Sequence, residues 1–99
     1  MIIYKYELQI TDRQIIETGP YPAYPLTVAE QGGKLMLWAM VDKNNNPPGS
    51  DKYGIFVQVI GTGNPFNANT HLDAKYLGTV LMSNGLVWHV ITEAFRRGD

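Results

Sequence analysis

Gln31-Gly32-Gly33-Lys34-Leu35-Met36-Leu37-Trp38-Ala39-Met40-Val41-Asp42 is the stretch that decides the fold. Gly-Gly marks a tight hairpin turn, and the seven residues Leu35 to Val41 behind it are apolar without interruption. A run of that length bounded by turn residues reads as a strand buried on both faces, either by a second sheet or by another subunit. Upstream, Leu26 to Gln31 supplies the first arm of the hairpin. Gly19-Pro20-Tyr21-Pro22-Ala23-Tyr24-Pro25 precedes it, and prolines at that density exclude a helix or a central strand. The segment reads as an extended surface loop carrying two tyrosines.

Further outward, Ile3 to Ile10 alternates. Tyr4, Tyr6, Leu8 and Ile10 fall on one face and Lys5, Glu7 and Gln9 on the other, the pattern of a half-buried strand. Thr11-Asp12 then turns the chain into Arg13 to Thr18, so the first two strands are expected to form a hairpin. Downstream, Asn44 to Asp51 reads as a loop, Tyr53 to Ile60 as a strand, and Asn67 to Asp73 as a polar connection. Lys75 to Leu81 and Leu86 to Glu93 are strands joined at Ser83-Asn84-Gly85, where Asn-Gly suits a two-residue hairpin turn. Ala94 to Asp99 is expected to fray. About seven short strands and no amphipathic helix give an all-β domain spanning 1–99, an antiparallel β-sandwich or a partly open barrel. Trp38 and Trp88 occupy similar places in two apolar strands, which reads as two central strands leaving hairpins rather than as a duplicated half.

Composition narrows the function classes. At 99 residues, 44% hydrophobic and 17% charged, the chain fits one folded domain and not a disordered segment. It has no cysteine, which excludes disulfides and thiolate metal sites and fits a reducing compartment. A net charge of −1 provides no bulk attraction to nucleic acid or anionic lipid. The first residues, interrupted by Lys5 and Glu7, do not read as a signal peptide, and no apolar run approaches a membrane span.

Catalytic constellations are scarce. His71 lies in a polar loop, and His89, on one side of its strand with Val87 and Ile91, reads as a packed residue with satisfied nitrogens. No two histidines are spaced as metal ligands, and Ser50 and Ser83 sit in turns outside any nucleophile elbow. A carboxylate pair assembled across strands stays open. The most site-like segment is Gly61-Thr62-Gly63-Asn64-Pro65-Phe66, whose glycines let backbone amides approach an anion while Thr62 adds a hydroxyl. The bland alternative is a strand end bending through positive φ. Tyr53, Phe66 and Tyr76, near Arg13, Lys52 and Lys75 in sequence, supply the rings and cations of a nucleotide pocket. Against this stands the general liking of strands for tyrosine. Arg96-Arg97 reads as a solvated tail or a phosphate contact.

Several segments in order resemble a family of small phage-encoded β proteins of about a hundred residues. They are Ile3-Tyr4-Lys5-Tyr6, Ile10-Thr11-Asp12-Arg13-Gln14-Ile15-Ile16-Glu17, the Gln31–Asp42 stretch, Gly61-Thr62-Gly63-Asn64-Pro65-Phe66, Tyr76-Leu77-Gly78-Thr79-Val80 and Val87-Trp88-His89-Val90. The chain departs from that family at Asn64, where relatives carry histidine, which speaks against a histidine-based role for the loop. It also continues past the usual end with Phe95-Arg96-Arg97. The resemblance implies a phage protein in a host bacterial cytoplasm. Small phage β proteins of this kind include some that sequester nucleotide signals of host defence. The expected function is therefore a non-catalytic, homo-oligomeric sponge for a cyclic nucleotide, without cofactor or metal. Its ligand residues would be Gly61, Thr62, Gly63, Asn64, Phe66, Tyr53, Tyr76, Arg13, Lys52 and Lys75. The alternatives are a protein-interaction module and, less favoured at this charge, a structural or nucleic-acid accessory protein.

Overall fold

The computed structural model describes residues 1–44, 52–66 and 74–97. The loop expected over 45–51 with Ser50, the polar connection over 67–73 with His71, and residues 98–99 lie outside the described residues. Among the described residues the chain forms seven strands and no helix. These are β1 (Ile2–Glu7), β2 (Gln14–Gly19), β3 (Ala23–Gln31), β4 (Lys34–Val41), β5 (Lys52–Gly61), β6 (Lys75–Leu81) and β7 (Val87–Arg97). They make a three-stranded sheet in the order β1-β4-β3 and a four-stranded sheet in the order β2-β5-β7-β6. Every pairing is antiparallel. The sheets stay separate and do not close into a barrel, so of the two expected architectures the sandwich is the one adopted.

The core follows from the two-residue period. Leu35, Leu37, Ala39 and Val41 of β4 face Ile55, Val57 and Val59 of β5, Val80 of β6 and Val90 of β7. Side chains such as Leu37 and Ile55 retain no exposed surface, and burying each contributes about 1.5–3 kcal/mol. The apolar β4 run is thus covered on one side by the second sheet. On its outer side, Lys5 Nζ of β1 donates to Gln31 Oε1 of β3 at 2.7 Å, a bond that reaches over β4 where Met36 is nearly buried. β3 also packs along β6, which closes that flank of the sandwich.

The structure corrects four local expectations. β1 and β2 do not form a hairpin: β1 pairs with β4 and β2 with β5, in different sheets. The alternation of β1 ends at Leu8, which is buried and donates its N–H to Leu35 O at 2.9 Å, while Ile10 is exposed. From there the chain crosses between the sheets. Gln14 holds the crossing: its Oε1 accepts from Gln9 N–H at 3.0 Å and its Nε2 donates to Gln9 O at 2.7 Å. Second, β3 begins at Ala23, so Tyr24 and Pro25 belong to a strand. Proline is tolerated because β3 is an edge strand with a register shift between Pro25 and Thr27.

Third, the Ser83-Asn84-Gly85 turn is a three-residue loop rather than a two-residue one. Met82 N–H donates to Leu86 O, Gly85 N–H donates to Met82 O, and only Gly85 has positive φ. The Gly32-Gly33 turn, by contrast, places both residues at positive φ, as a tight hairpin needs. Fourth, the chain end does not fray at Ala94. β7 continues to Arg97, which pairs with Lys52. Gly54 explains why: a Cβ there would meet the Phe95 ring at 2.7 Å, so the ring lies against bare backbone, and the Arg97 guanidinium stands 5.4 Å from that ring's centre.

Candidate functional site

Strand alternation in the four-stranded sheet sends Val57, Val59, Val90 and Thr92 to the core. Phe56, Gln58 and Ile60 of β5 and His89, Ile91 and Glu93 of β7 therefore point outward. Register places Tyr76 beside Ile91 and Thr79 beside His89 on the same outer face. At the end of β5 the chain turns back over this face. Asn64 N–H donates to Gly61 O at 3.1 Å, closing a four-residue turn with Gly63 at φ 87°, the position where a type II turn needs positive φ. A Cβ on Gly61 would come within 2.8 Å of Asn64 Nδ2, so the absence of a side chain lets Asn64 fold back against the strand.

The strap from Gly61 to Phe66 separates two clefts. One, of about 280 Å³, is lined by Ile60, Thr62, Phe66, Tyr76, His89 and Ile91, together with Gly61, Gly63 and Asn64. Phe66 and Tyr76 are 51% and 54% exposed, which leaves ring surface for a ligand to stack on. The other, of about 160 Å³, is lined by Asp12, Arg13, Gln58, Ile60, Gly61, Asn64, Pro65 and Phe66. It is the more polar of the two.

His89 anchors the first cleft. Its Nε2 lies 2.8 Å from Thr62 Oγ1, and its Nδ1 lies 3.0 Å from Tyr76 OH and 3.1 Å from Thr79 Oγ1, with the Tyr76 and Thr79 hydroxyls also in contact. Both nitrogens are thus engaged, as a packed histidine requires. The Thr62–His89 spacing is that of a nucleophile and its base. The groups on Nδ1, however, are neutral hydroxyls. A buried carboxylate in that position is what holds the tautomer and offsets the charge of an imidazolium in a catalytic triad. The arrangement suits fixed hydrogen-bond recognition better than proton transfer. No group of three or more His, Cys, Asp or Glu positioned to hold a metal occurs among the described residues.

Of the residues singled out in the sequence, Gly61, Thr62, Gly63, Asn64, Phe66, Tyr76 and Arg13 line these two clefts. Lys52 and Tyr53 do not. They start β5, roughly 25 Å from Gly61 at the rise of an extended strand, and pair with Arg97 and Arg96. Lys75 adjoins Tyr76 but pairs with Thr92 and so points to the opposite side of its strand. Four polar residues at these clefts, Asp12, Gln58, Thr79 and His89, are not among the ligand residues expected from the sequence. Gln58 is a single polar side chain in the apolar run Ile55 to Ile60, and His89 carried a packing role alone in the sequence. A polar residue breaking such a run is the signal that marks Gln58.

A second cation–aromatic group lies apart from these clefts. Lys43 Nζ stands 5.1 Å from the centre of the Tyr4 ring and 5.8 Å from that of Tyr21. A hydrogen bond to Tyr4 raises the Lys43 pKa, and burial raises that of the Tyr6 phenol. Tyr4, Tyr6 and Tyr21 pack against the core, so this group closes the sandwich rather than offering a surface.

The class defined by this architecture is a small antiparallel β-sandwich with a strapped, aromatic outer face. The chain belongs to the DUF7352 family, a domain of unknown function, whose model matches residues 1–98. No curated protein and no solved structure matches it. No helix among the described residues is long and apolar enough to cross a membrane.

Proposed function

We propose that this domain binds a nucleotide-type small molecule, such as a cyclic nucleotide, on the outer face of the four-stranded sheet and leaves it chemically unchanged. The observation that carries the reading is the convergence on one strap of exposed rings (Phe66, Tyr76), fixed hydroxyls (Thr62, Thr79), a cation (Arg13) and two carboxamides (Gln58, Asn64). Rings stack on a base and the polar groups select among bases and hold phosphate. The likeness to small phage-encoded proteins supplies a context: a phage protein in the host cytoplasm that lowers the free concentration of a defence signal. Calorimetry with a panel of cyclic mono- and dinucleotides tests the proposal. Binding is expected with the ligand recovered intact, and Phe66→Ala should weaken it by about ten-fold, the scale of one lost stacking contact. Silence across the panel, or conversion of the ligand, refutes it.

A second reading, docking on a protein or on another copy of the chain, draws on the other sheet. Ile3, Met40 and Tyr24 form a row across its outer face, with Ile3 and Tyr24 exposed. Apolar side chains aligned this way favour association. If this face mediates self-association, sedimentation should report an oligomer that Ile3→Glu converts to monomer; a monomer at all concentrations removes that form of the reading.

A further inference from the structure

Gln58 stands out within the polar cleft. The residue is 7% exposed, its side chain lines the cleft beside Asp12, Arg13 and Asn64, and that side chain makes no hydrogen bond to another described residue. A carboxamide that lines a cleft without a partner among the described residues presents its donor and acceptor to whatever enters that cleft. The strand offers no reason for it, because Phe56 and Ile60 at the equivalent outward positions of β5 are apolar. The cleft into which it points is too small for a whole nucleotide and adjoins the larger aromatic cleft through Ile60, Gly61, Asn64 and Phe66.

We infer that Gln58 is the specificity-determining residue of the site and that it reads the edge of an adenine-type base. The inference rests on the proposed nucleotide binding. A carboxamide presents one donor beside one acceptor. It pairs with adenine by donating from Nε2 to the ring N7 while its Oε1 accepts from the exocyclic amine. On the corresponding N7 edge of guanine the same Oε1 faces a carbonyl oxygen, and two acceptors repel. In this reading Arg13 at the cleft border holds phosphate, which leaves the base edge to Gln58. Phe66 borders both clefts and is half exposed, so its ring is available for a base to stack on.

The test is calorimetry of the full chain with 3′,5′-cyclic AMP and 3′,5′-cyclic GMP, repeated on Gln58→Leu and Gln58→Glu, with thermal unfolding as the control for folding. Cyclic AMP should bind roughly ten- to hundred-fold more tightly than cyclic GMP, the worth of one good bidentate base contact. Gln58→Leu should abolish the preference. Gln58→Glu, which keeps the shape but not the amide donor, should reduce it. In the unaltered chain the Gln58 side-chain amide resonance should shift on adding cyclic AMP. Equal binding of both nucleotides, or a preference that survives Gln58→Leu, overturns the assignment to Gln58 while leaving the nucleotide site standing. Binding of neither also overturns the assignment to Gln58, and the nucleotide site itself falls when the whole panel of cyclic mono- and dinucleotides is silent.

Discussion

The Thr92 hydroxyl is held in the core, 1% exposed, opposite Val57, with no hydrogen-bond partner among the described residues. A buried hydroxyl without a partner opposes folding, whereas a methyl of the same shape does not. Thr92→Val is therefore expected to raise the unfolding free energy by about 1 kcal/mol, read as a higher urea midpoint at unchanged slope. An unchanged or lower midpoint would mean that the hydroxyl is satisfied. Gln58, on the outward side of its strand, lines a cleft where a ligand can supply the partner that the core denies Thr92. At this scale the sequence was legible where a residue's role is local. Gly61, Thr62, Gly63 and Asn64 advertise their turn by type and spacing. It was illegible where the role depends on which neighbour the register brings alongside: Thr62, Tyr76 and Thr79 meet His89 only because β6 pairs with β7 and the β5 strap folds back.

Elements are legible in the sequence wherever the information is contained within the element. The β4 run, the Gly32-Gly33 turn and the whole of β6 follow from apolar period and turn chemistry. The errors lie at ends and partners. Ala94 to Arg97 lacks a strong strand pattern, yet it is held as strand because β5 offers Lys52 to Ile55 as an open partner edge and Gly54 leaves room for the Phe95 ring. The β1–β2 connection carries a good turn signal, and a turn does form there, with Thr11 N–H donating to Gln9 O at 3.0 Å. That turn redirects the chain to the other sheet instead of returning it along β1. Leu8 decides the difference, since its burial against the core and its bond to Leu35 end the strand pattern before the turn begins. The same crossing carries Asp12 and Arg13 to the polar cleft, so the connection that leaves the hairpin pattern is also what assembles that side of the candidate site.

Across the whole molecule, two sheets packed through aliphatic side chains resist separation but are weakly fixed against sliding, because the hydrophobic contact is not directional. A polar tie between them supplies direction. Glu30 of β3, in one sheet, accepts from Ser83 N–H at 2.7 Å and from Ser83 Oγ–H at 2.5 Å, in the loop that joins β6 to β7 of the other. A carboxylate that accepts from a backbone amide and a hydroxyl makes charge-assisted bonds stronger than neutral ones. Their loss should open the β3–β6 flank. Glu30→Ala is expected to lower stability by about 1–3 kcal/mol, more than Ser83→Ala, which removes the hydroxyl but keeps the backbone donor. In the double variant the two losses should add to less than their sum, because the second substitution removes a bond already broken. Urea unfolding of the four proteins measures this directly. Strict additivity would mean that the pair contributes no coupling, and that the relative placement of the sheets, and with it the shape of the outer face bearing the strap, is set by core packing alone.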